Sequence, residues 1–550
     1  MRTGGQMIVE ALEANGATHV FCVPGESYLA VLDALHDSPI RTVVCRQEGG
    51  AAMMADCHGR LTGEPGICFV TRGPGATNAS AGVHIASQDS TPMILFIGQI
   101  ARGIREREAF QEVDYKQFFG GMAKWVAEID DAARIPEFVT RAFATATSGR
   151  PGPVVLVLPE DMLTDAVEAP ATQRYTPVET APSPAAMHQV RAMLEKAERP
   201  FVILGGSGWD ETSVSAFQTA AERWALPVGV SFRRQMLFDH LHPCYAGDVG
   251  ISINPALAAR IKAADLLLLL GGRLSEMPSQ DYTLLKSPYP DQTLIHVHAS
   301  AEELGRVYRP ALAVHSSPAA FARAFADLPS PAAPPAWANA MAEAHASYLK
   351  WSTPPETGAG AVIMGKVMAH LEEVLPDDAI LTNGAGNYAT WVHRFHRSRR
   401  FATQAAPTSG SMGYGMPAAV AAKLLFPERE VYAFAGDGCF MMHGQEFATA
   451  MHYGANIIAI VVNNGMYGTI RMHQEREYPA RVSGTALTNP DFAALARAYG
   501  GHGETVEVTE DFAPALARAR ASGKPAIIEI RLDPEALTIG KTLSEIRGSS

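Results

Sequence analysis

The stretch Glu430–Gly468 reads EVYAFAGDGCFMMHGQEFATAMHYGANIIAIVVNNGMYG. It sets one acidic side chain, Asp437, between Gly436 and Gly438, ahead of the asparagine pair Asn463 and Asn464. EVYAFAG and NIIAIVVNN are short apolar runs of the kind that form buried strands, with a helix expected between them over about 443–453. Asp437 and Asn464 then stand at the C-terminal ends of two successive parallel strands, on one edge of a sheet. A carboxylate, a side-chain amide and a nearby backbone carbonyl make a small oxygen cage. Mg²⁺ accepts such a cage when phosphate oxygens and water complete its octahedron. The flanking glycines allow a sharp turn and a close approach of backbone N–H groups to a diphosphate. GDG alone is equally a plain strand-to-helix turn; the asparagine pair across the same βαβ unit argues against that reading.

Two further constellations carry chemistry. Arg46-Gln47-Glu48-Gly49-Gly50-Ala51-Ala52 follows the strand-like RTVVCR, and Glu48 opens a helix, where the helix dipole favours a carboxylate. An isolated RQE is otherwise a solvated turn. Pro407-Thr408-Ser409-Gly410-Ser411-Met412-Gly413-Tyr414-Gly415-Met416 is a glycine-rich loop whose methionine suits an irregular gap.

The elements that must position these residues repeat one pattern. RTVVCR, GICFVT and MILFIG, then PFVILGG, ALPVGVS, ADLLLLLGG and TLIHVHA, then EVYAFAG, NIIAIVVNN and AIIEIRL are continuous apolar runs separated by helix-length segments. That pattern predicts an α/β fold of doubly wound parallel sheets covered on both faces, with ligands at the C-terminal ends of the strands. Two connectors divide the chain: Ala166–Pro184, rich in Pro, Thr and Ala, and Leu328–Ala336, with four prolines in nine residues. Three domains result, 1–165, 186–327 and 355–540, as the length of 550 residues suggests at roughly 100–200 residues per domain. The first and third could share one architecture, which the sequence leaves as a guess. The N-terminal MRTGGQMIVEALEANG reads as a capped amphipathic helix rather than a secretory leader.

With 47% hydrophobic and 19% charged residues the chain is not disordered. Its net charge of −12 argues against nucleic acid as the main partner. No apolar run reaches the ~20 residues that span a bilayer, so no membrane partner is expected. The six scattered cysteines, without a C-x-x-C pair, read as reduced buried thiols of a cytoplasmic protein and make a zinc site improbable.

GDG followed by NN resembles the metal-diphosphate motif of the thiamine diphosphate enzymes. The approach through Val420-Ala421, Pro427, Tyr432 and Phe434 into GDGC is similar to that family's longer signature. The resemblance covers essentially the whole chain, in the order pyrimidine-binding, middle and diphosphate-binding domain. It implies thiamine diphosphate and Mg²⁺ as cofactors, with Asp437, the side chain of Asn464 and the backbone carbonyl of Met466 as metal ligands. Gly436, Gly438, Cys439, Tyr467 and Gly468 complete the implied diphosphate end. Glu48 is implied as the acid that hydrogen-bonds the pyrimidine ring and activates the cofactor, its pKa expected to be raised in an apolar pocket. Met412 is implied as the prop that keeps the cofactor bent, with the Gly410 carbonyl accepting from its 4′-amino group.

Within that family, RQEGGAAMMADCHGRLTGEPG, VTRGPGATN, DSTPMILFIGQI and AFQEVD resemble the acetolactate synthase (acetohydroxyacid synthase) large-subunit group. That likeness places Gly25, Phe110 and Gln111 toward the reaction centre. The tandem catalytic histidines of pyruvate decarboxylase are absent at the matching place. Two departures stand out. The synthase motif GxRFDDR here runs from Gly271 to Met277, so Met277 replaces its last arginine, and His473 stands where the synthase has a tryptophan. A site lacking both would discriminate substrates differently. His473 is a candidate proton donor or a cap on a mobile segment, and Arg471 or Arg273 a candidate for the substrate carboxylate. Gly205-Gly206-Ser207-Gly208 lacks the full dinucleotide fingerprint and reads as packing. The group often binds FAD in this domain, but the altered neighbouring motifs weigh against FAD here.

The implied reaction is decarboxylation of a 2-oxo acid, with a C–C bond formed or released through an enamine (a transferase or lyase activity). A simple 2-oxo acid decarboxylase without carboligation is the alternative. An NAD-dependent α/β enzyme and a non-catalytic protein of the same fold are readings outside the class. Because the family builds each site from two chains, a homodimer or homotetramer is implied.

Overall fold

The computed structural model describes residues 1–331 and 333–548; Ala332, in the second proline-rich connector, lies outside the described residues. The described chain carries three six-stranded sheets in which every neighbouring pair is parallel. The first sheet comprises β1 (His19–Cys22), β2 (Arg41–Val44), β3 (Gly66–Val70), β4 (Met93–Gln99), β5 (Trp125–Glu128) and β6 (Pro153–Pro159), in the order β2-β1-β3-β4-β6-β5. The second has β7 (Pro200–Leu204), β8 (Val228–Ser231), β9 (Tyr245–Val249), β10 (Leu266–Leu270), β11 (Thr293–His298) and β12 (Leu312–His315), in the order β9-β8-β7-β10-β11-β12. The third has β13 (Ile380–Asn383), β14 (Gln404–Ala405), β15 (Val431–Gly436), β16 (Ile458–Asn463), β17 (His502–Val506) and β18 (Ala526–Arg531), in the order β14-β13-β15-β16-β18-β17. The first and third sheets share one topology, and the middle sheet has another.

The described residues form two compact units. One is Met1–Val178 with the segments Val420–Phe426 and His443–Ala455; the other is made of the described residues of Glu179–Ala419, Pro427–Met442 and the stretch from Asn456 onward.

The run Leu266–Leu270 shows why these strands read as uninterrupted apolar sequence. Leu266, Leu268 and Leu270 belong to one core cluster, and Leu267 and Leu269 to another. Successive strand residues point to opposite faces, so a strand covered by helices on both sides needs an apolar residue at every position. Leu268 is fully buried. Leu268→Ala is expected to lower unfolding stability by about 2–5 kcal/mol, through lost transfer energy and an unfilled cavity, measurable by denaturant titration.

The N-terminal helix forms as expected over Gly4–Ala14, and Thr3 with Gln6 makes a reciprocal capping box. All six cysteines are buried thiols outside any disulfide. Among the described residues no helix is long and apolar enough to cross a membrane.

Candidate active site

In the first sheet the strand order reverses between β1 and β3, the place where a doubly wound sheet opens a crevice at its C-terminal edge. The loop after β1 brings Gly25 against Thr71, which follows β3, and Ser27 Oγ lies 2.8 Å from Thr71 Oγ1. Arg72 is buried and pairs with Glu26 and Glu160, both at 2.9 Å. The Gly73 N–H donates to the Tyr115 hydroxyl at 2.7 Å. Gln111 packs on Gly73 with a φ of +65°, an uncommon backbone for a side chain of its size. Phe110 beside it is 74% exposed, so the two residues implied by resemblance are placed differently: one packed, one free on the surface.

Helix α1 (Glu48–Thr62) begins at Glu48 itself, with three residues between it and the end of β2. Gln47 is its N-cap, its side-chain carbonyl accepting from the Gly50 N–H at 3.0 Å. The Glu48 carboxylate is half-buried, and its Oε2 accepts from Asn78 Nδ2 at 3.0 Å, on helix α2 (Pro74–Asp89). Asn78 lies within the VTRGPGATN run but carries no signal of its own that names Glu48 as its partner.

In the third sheet β15 and β16 pair with Gly436 opposite Val462, so Asp437 and Asn464 leave neighbouring strands at the same edge. The expected helix over 443–453 is corrected here. Helix α3 (Asp437–His443) starts at Asp437, a short 3₁₀ turn covers Gly444–Glu446, and helix α4 (Phe447–Tyr453) follows. Asp437 is therefore the first residue of a helix. Its carboxylate is buried and accepts from the side chain of Asn489, with the backbone N–H groups of Gly438, Gly465 and Met466 close by. Burial pushes the Asp437 carboxyl upward against these donors, so an adjacent cation would stabilise its charged form. A side chain at Gly438 would strike the Tyr467 ring at 2.5 Å, so GDG and the segment after NN are in contact.

The two asparagines have separate fates. Asn463 donates to the buried Glu529 at 2.7 Å and accepts from Asn489 at 2.9 Å and from the Gly465 N–H at 3.2 Å. Asn464 is half-buried one position on. Met466 bridges to Ala486, and the Tyr467 N–H donates to the Thr485 carbonyl at 2.9 Å, pinning the loop. Asn489 Nδ2 donates to Asp437 Oδ2 at 2.7 Å, and no expectation from sequence singled it out. Its only sequence signal is Asn-Pro-Asp, which marks a turn and not a partner. With Asp437 as the proposed metal ligand, Asn489→Ala is expected to weaken Mg²⁺ affinity about 10–100-fold, as loss of a group that orients a ligand does, measurable by metal titration in the presence of thiamine diphosphate.

The Gly410–Met412 loop reaches the same place. The Gly413 N–H donates to Cys439 Sγ at 3.2 Å, and the Tyr388 hydroxyl lies 3.2 Å from the same sulfur. Gly410 has a φ of +67°, and Met412 is half-buried. Arg233, from the turn after β8, donates to the carbonyls of Pro407 and Gly384. Helix α5 (Gly468–Glu477) carries His473 on its exposed face, Nδ1 accepting from Arg476 at 3.3 Å. Arg471 commits its Nε to Glu475 at 3.0 Å, and Glu475 also receives Arg547 at 2.8 Å from the terminal helix α6 (Leu543–Gly548).

The glycine-rich turn after β7 is occupied by protein. A side chain at Gly206 would lie 2.0 Å from the Gly271 carbonyl, and Arg234 Nε donates to the Gly206 carbonyl at 2.8 Å. Its glycines serve the close packing of two strand ends. Among the described residues no cluster of three His, Cys, Asp or Glu is arranged to hold a metal, so a cation at Asp437 depends on amide, carbonyl and phosphate oxygens.

Three family descriptions match the chain in sequence: the thiamine pyrophosphate enzyme N-terminal TPP binding domain over residues 2–118, its central domain over 187–325 and its C-terminal TPP binding domain over 384–530. The chain belongs to the thiamine pyrophosphate enzymes and is an enzyme of the acetolactate synthase type. It is 30% identical to the acetolactate synthase isozyme 2 large subunit of Escherichia coli (strain K12), over 96% of this chain and 95% of that one. The acetolactate synthase large subunit of Corynebacterium glutamicum is also 30% identical, over 97% of this chain and 87% of its own. The probable acetolactate synthase large subunit of Methanocaldococcus jannaschii is 29% identical, over 97% and 93%.

Proposed function

We propose that the protein uses thiamine diphosphate and Mg²⁺ to decarboxylate a 2-oxo acid and join the remaining acyl carbon to a second carbonyl compound, the chemistry named by its acetolactate synthase relatives. The observation that carries this reading is the buried Asp437 carboxylate at a helix N-terminus, tied to the asparagine pair by Asn489, whose Nδ2 donates to Asp437 Oδ2 at 2.7 Å and to Asn463 Oδ1 at 2.9 Å. That contact draws GDG and NN into one oxygen-rich turn whose donor set fits Mg²⁺ bound to a diphosphate. Asp437, Asn464 and the Met466 carbonyl would hold the metal, and the backbone around Gly436–Cys439 and Tyr467–Gly468 the phosphates. Glu48, steadied by Asn78, would give and take a proton at its carboxyl, and Met412 and Gly410 would set the cofactor's posture. Thiamine diphosphate, when bound, supplies the electron sink that lets a 2-oxo acid lose CO₂. Gly25 and Gln111 would stand at the substrate's side.

The domains are assigned as 1–165, 186–327 and 355–540, in an assembly of at least two copies. Six buried thiols outside any disulfide suit a reducing compartment such as the cytoplasm. The altered motifs of the middle domain weigh against FAD, and the Gly206 carbonyl of its glycine turn accepts from Arg234 Nε at 2.8 Å. A simple decarboxylase is the second reading, favoured by Met277 and by an exposed His473 where the synthases carry arginine and tryptophan. Incubation with thiamine diphosphate, Mg²⁺ and a panel of 2-oxo acids, following CO₂ and ligated products, separates the two. Ligated product supports the synthase reading, CO₂ with aldehyde alone the decarboxylase, and turnover that needs a nucleotide instead of thiamine diphosphate refutes both.

A further inference from the structure

Glu446 has no place in the chemistry above, yet its carboxylate is among the most enclosed in the protein, with 0% of the residue exposed. Oε1 accepts from the backbone N–H of Arg46 and from that of Gln47, both at 3.0 Å, across a sequence separation of about 400 residues within one compact unit. Oε2 accepts from Thr449 Oγ1 at 2.6 Å. Arg46 and Gln47 are the two residues that immediately precede Glu48, and Gln47 is the N-cap of α1. The carboxylate therefore binds the backbone that enters the helix, at the end whose dipole favours a negative charge. A buried carboxylate is retained only where donors replace its water, and three donors do so here.

The sequence around Glu48 is shaped to admit this group. A methyl at Gly50 would lie 2.7 Å from Glu446 Oε1. Two glycines in the first turn of a helix are poor helix formers, and this approach gives the second of them a reason. His443 Nε2 adds a contact at 3.2 Å to Gln47 Oε1, the same atom that caps Gly50. The break in the helix at Gly444–Glu446 is what turns Glu446 toward this site.

We infer that Glu446 is a positioning residue for Glu48: by fixing the Arg46 and Gln47 amides it sets where the Glu48 carboxyl stands when the cofactor is bound. The inference rests on Glu48 being the activating acid. Its test compares Glu446→Ala, Glu446→Gln, Gly50→Ala and Glu48→Gln in the full chain. Cofactor affinity is read by calorimetry, and activation by the rate at which the C2 proton of bound thiamine diphosphate exchanges with D₂O. For Glu446→Ala the affinity should stay within about threefold while C2 exchange and kcat fall about a hundredfold at unchanged KM, the signature of a misplaced group. Glu446→Gln, which keeps an acceptor oxygen, should restore most of the exchange rate. Gly50→Ala should slow exchange similarly and add little to Glu446→Ala in the double variant. Without cofactor, the Arg46 and Gln47 amides should lose protection from hydrogen exchange in Glu446→Ala.

C2 exchange near the wild-type rate in Glu446→Ala, or affinity and exchange falling together, overturns the inference. If Glu446→Ala does not fold, Gly50→Ala decides: slow exchange at retained affinity supports the inference, and wild-type exchange overturns it. Wild-type exchange in Glu48→Gln would sink the role of Glu48 itself. An inactive Glu48→Gln beside an unimpaired Glu446→Ala removes Glu446 alone.

Discussion

Glu48→Gln is expected to give a folded protein that binds thiamine diphosphate and turns over about 10²–10⁴ times more slowly, the range lost when a positioned proton donor is removed. The substitution is nearly isosteric. Its carboxamide oxygen can still accept from Asn78 Nδ2, so the 3.0 Å contact to α2 can survive. What disappears is a proton that can leave and return. A carboxyl at the first position of α1 does this with a charge the helix dipole favours, whereas a carboxamide does not titrate. The measurement is CO₂ release across the 2-oxo acid panel, with cofactor affinity determined in parallel. Turnover within about threefold of wild type would refute the assignment, because general acid–base assistance is worth far more than that.

The second large effect is expected at Asp437. Asp437→Asn preserves the side chain's shape at the start of α3 but puts an amide where Asn489 Nδ2 donates at 2.7 Å and the N–H groups of Gly438, Gly465 and Met466 lie close. Those donors then face another donor on one side of the group, and the cage loses its only carboxylate. Mg²⁺-dependent affinity for thiamine diphosphate should fall by more than about a hundredfold, beyond the 10–100-fold expected for an orienting neighbour. Thermodynamic linkage gives an independent reading. At a ligand concentration a hundred times the wild-type Kd, the wild type gains about 2.7 kcal/mol of stability. A hundredfold weaker variant gains about 0.4 kcal/mol at the same concentration. Equal stabilisation of the two proteins by cofactor and metal would remove Asp437 from the site.

Some of this architecture is legible in one dimension. Runs such as Leu266–Leu270 and Ile458–Asn463 are apolar at nearly every position because helices cover both faces of their sheets. Five of the six edge strands escape that test. Trp125–Glu128 and Leu312–His315 are partly exposed, and Gln404–Ala405 is two residues long. Tyr245–Val249 carries Gly247 and Asp248, and His502–Val506 is half-buried along most of its length. Pro153–Pro159 is fully buried and sits centrally, but the prolines at both ends make it resemble a connector.

The candidate site divides along the same line. Asp437 and Asn464 are legible together because one βαβ unit fixes their spacing, and the parallel register of β15 and β16 follows from local pattern. Glu48 is legible as the opening of an alanine-rich helix. Asn78, Asn489 and Glu446 are not, because each acts through a partner from another element. Nothing in Asn-Pro-Asp or Gln-Glu-Phe says which carboxylate or amide it will meet.

Three parallel α/β layers, the residues at their C-terminal edges and the GDG–NN motif proposed to hold a metal diphosphate are determined by the sequence alone, since burial, turn chemistry and short spacing are local properties. The order of strands was decided only in three dimensions. The first and third sheets run β2-β1-β3-β4-β6-β5 and β14-β13-β15-β16-β18-β17, the same path, while the middle sheet runs β9-β8-β7-β10-β11-β12. Their apolar runs look alike because strand order depends on which side of the sheet each crossover helix packs against, a long-range choice that no single segment encodes. The grip of Glu446 on the entrance to α1 is of the same kind: two backbone amides and a carboxylate some 400 residues apart, joined by folding.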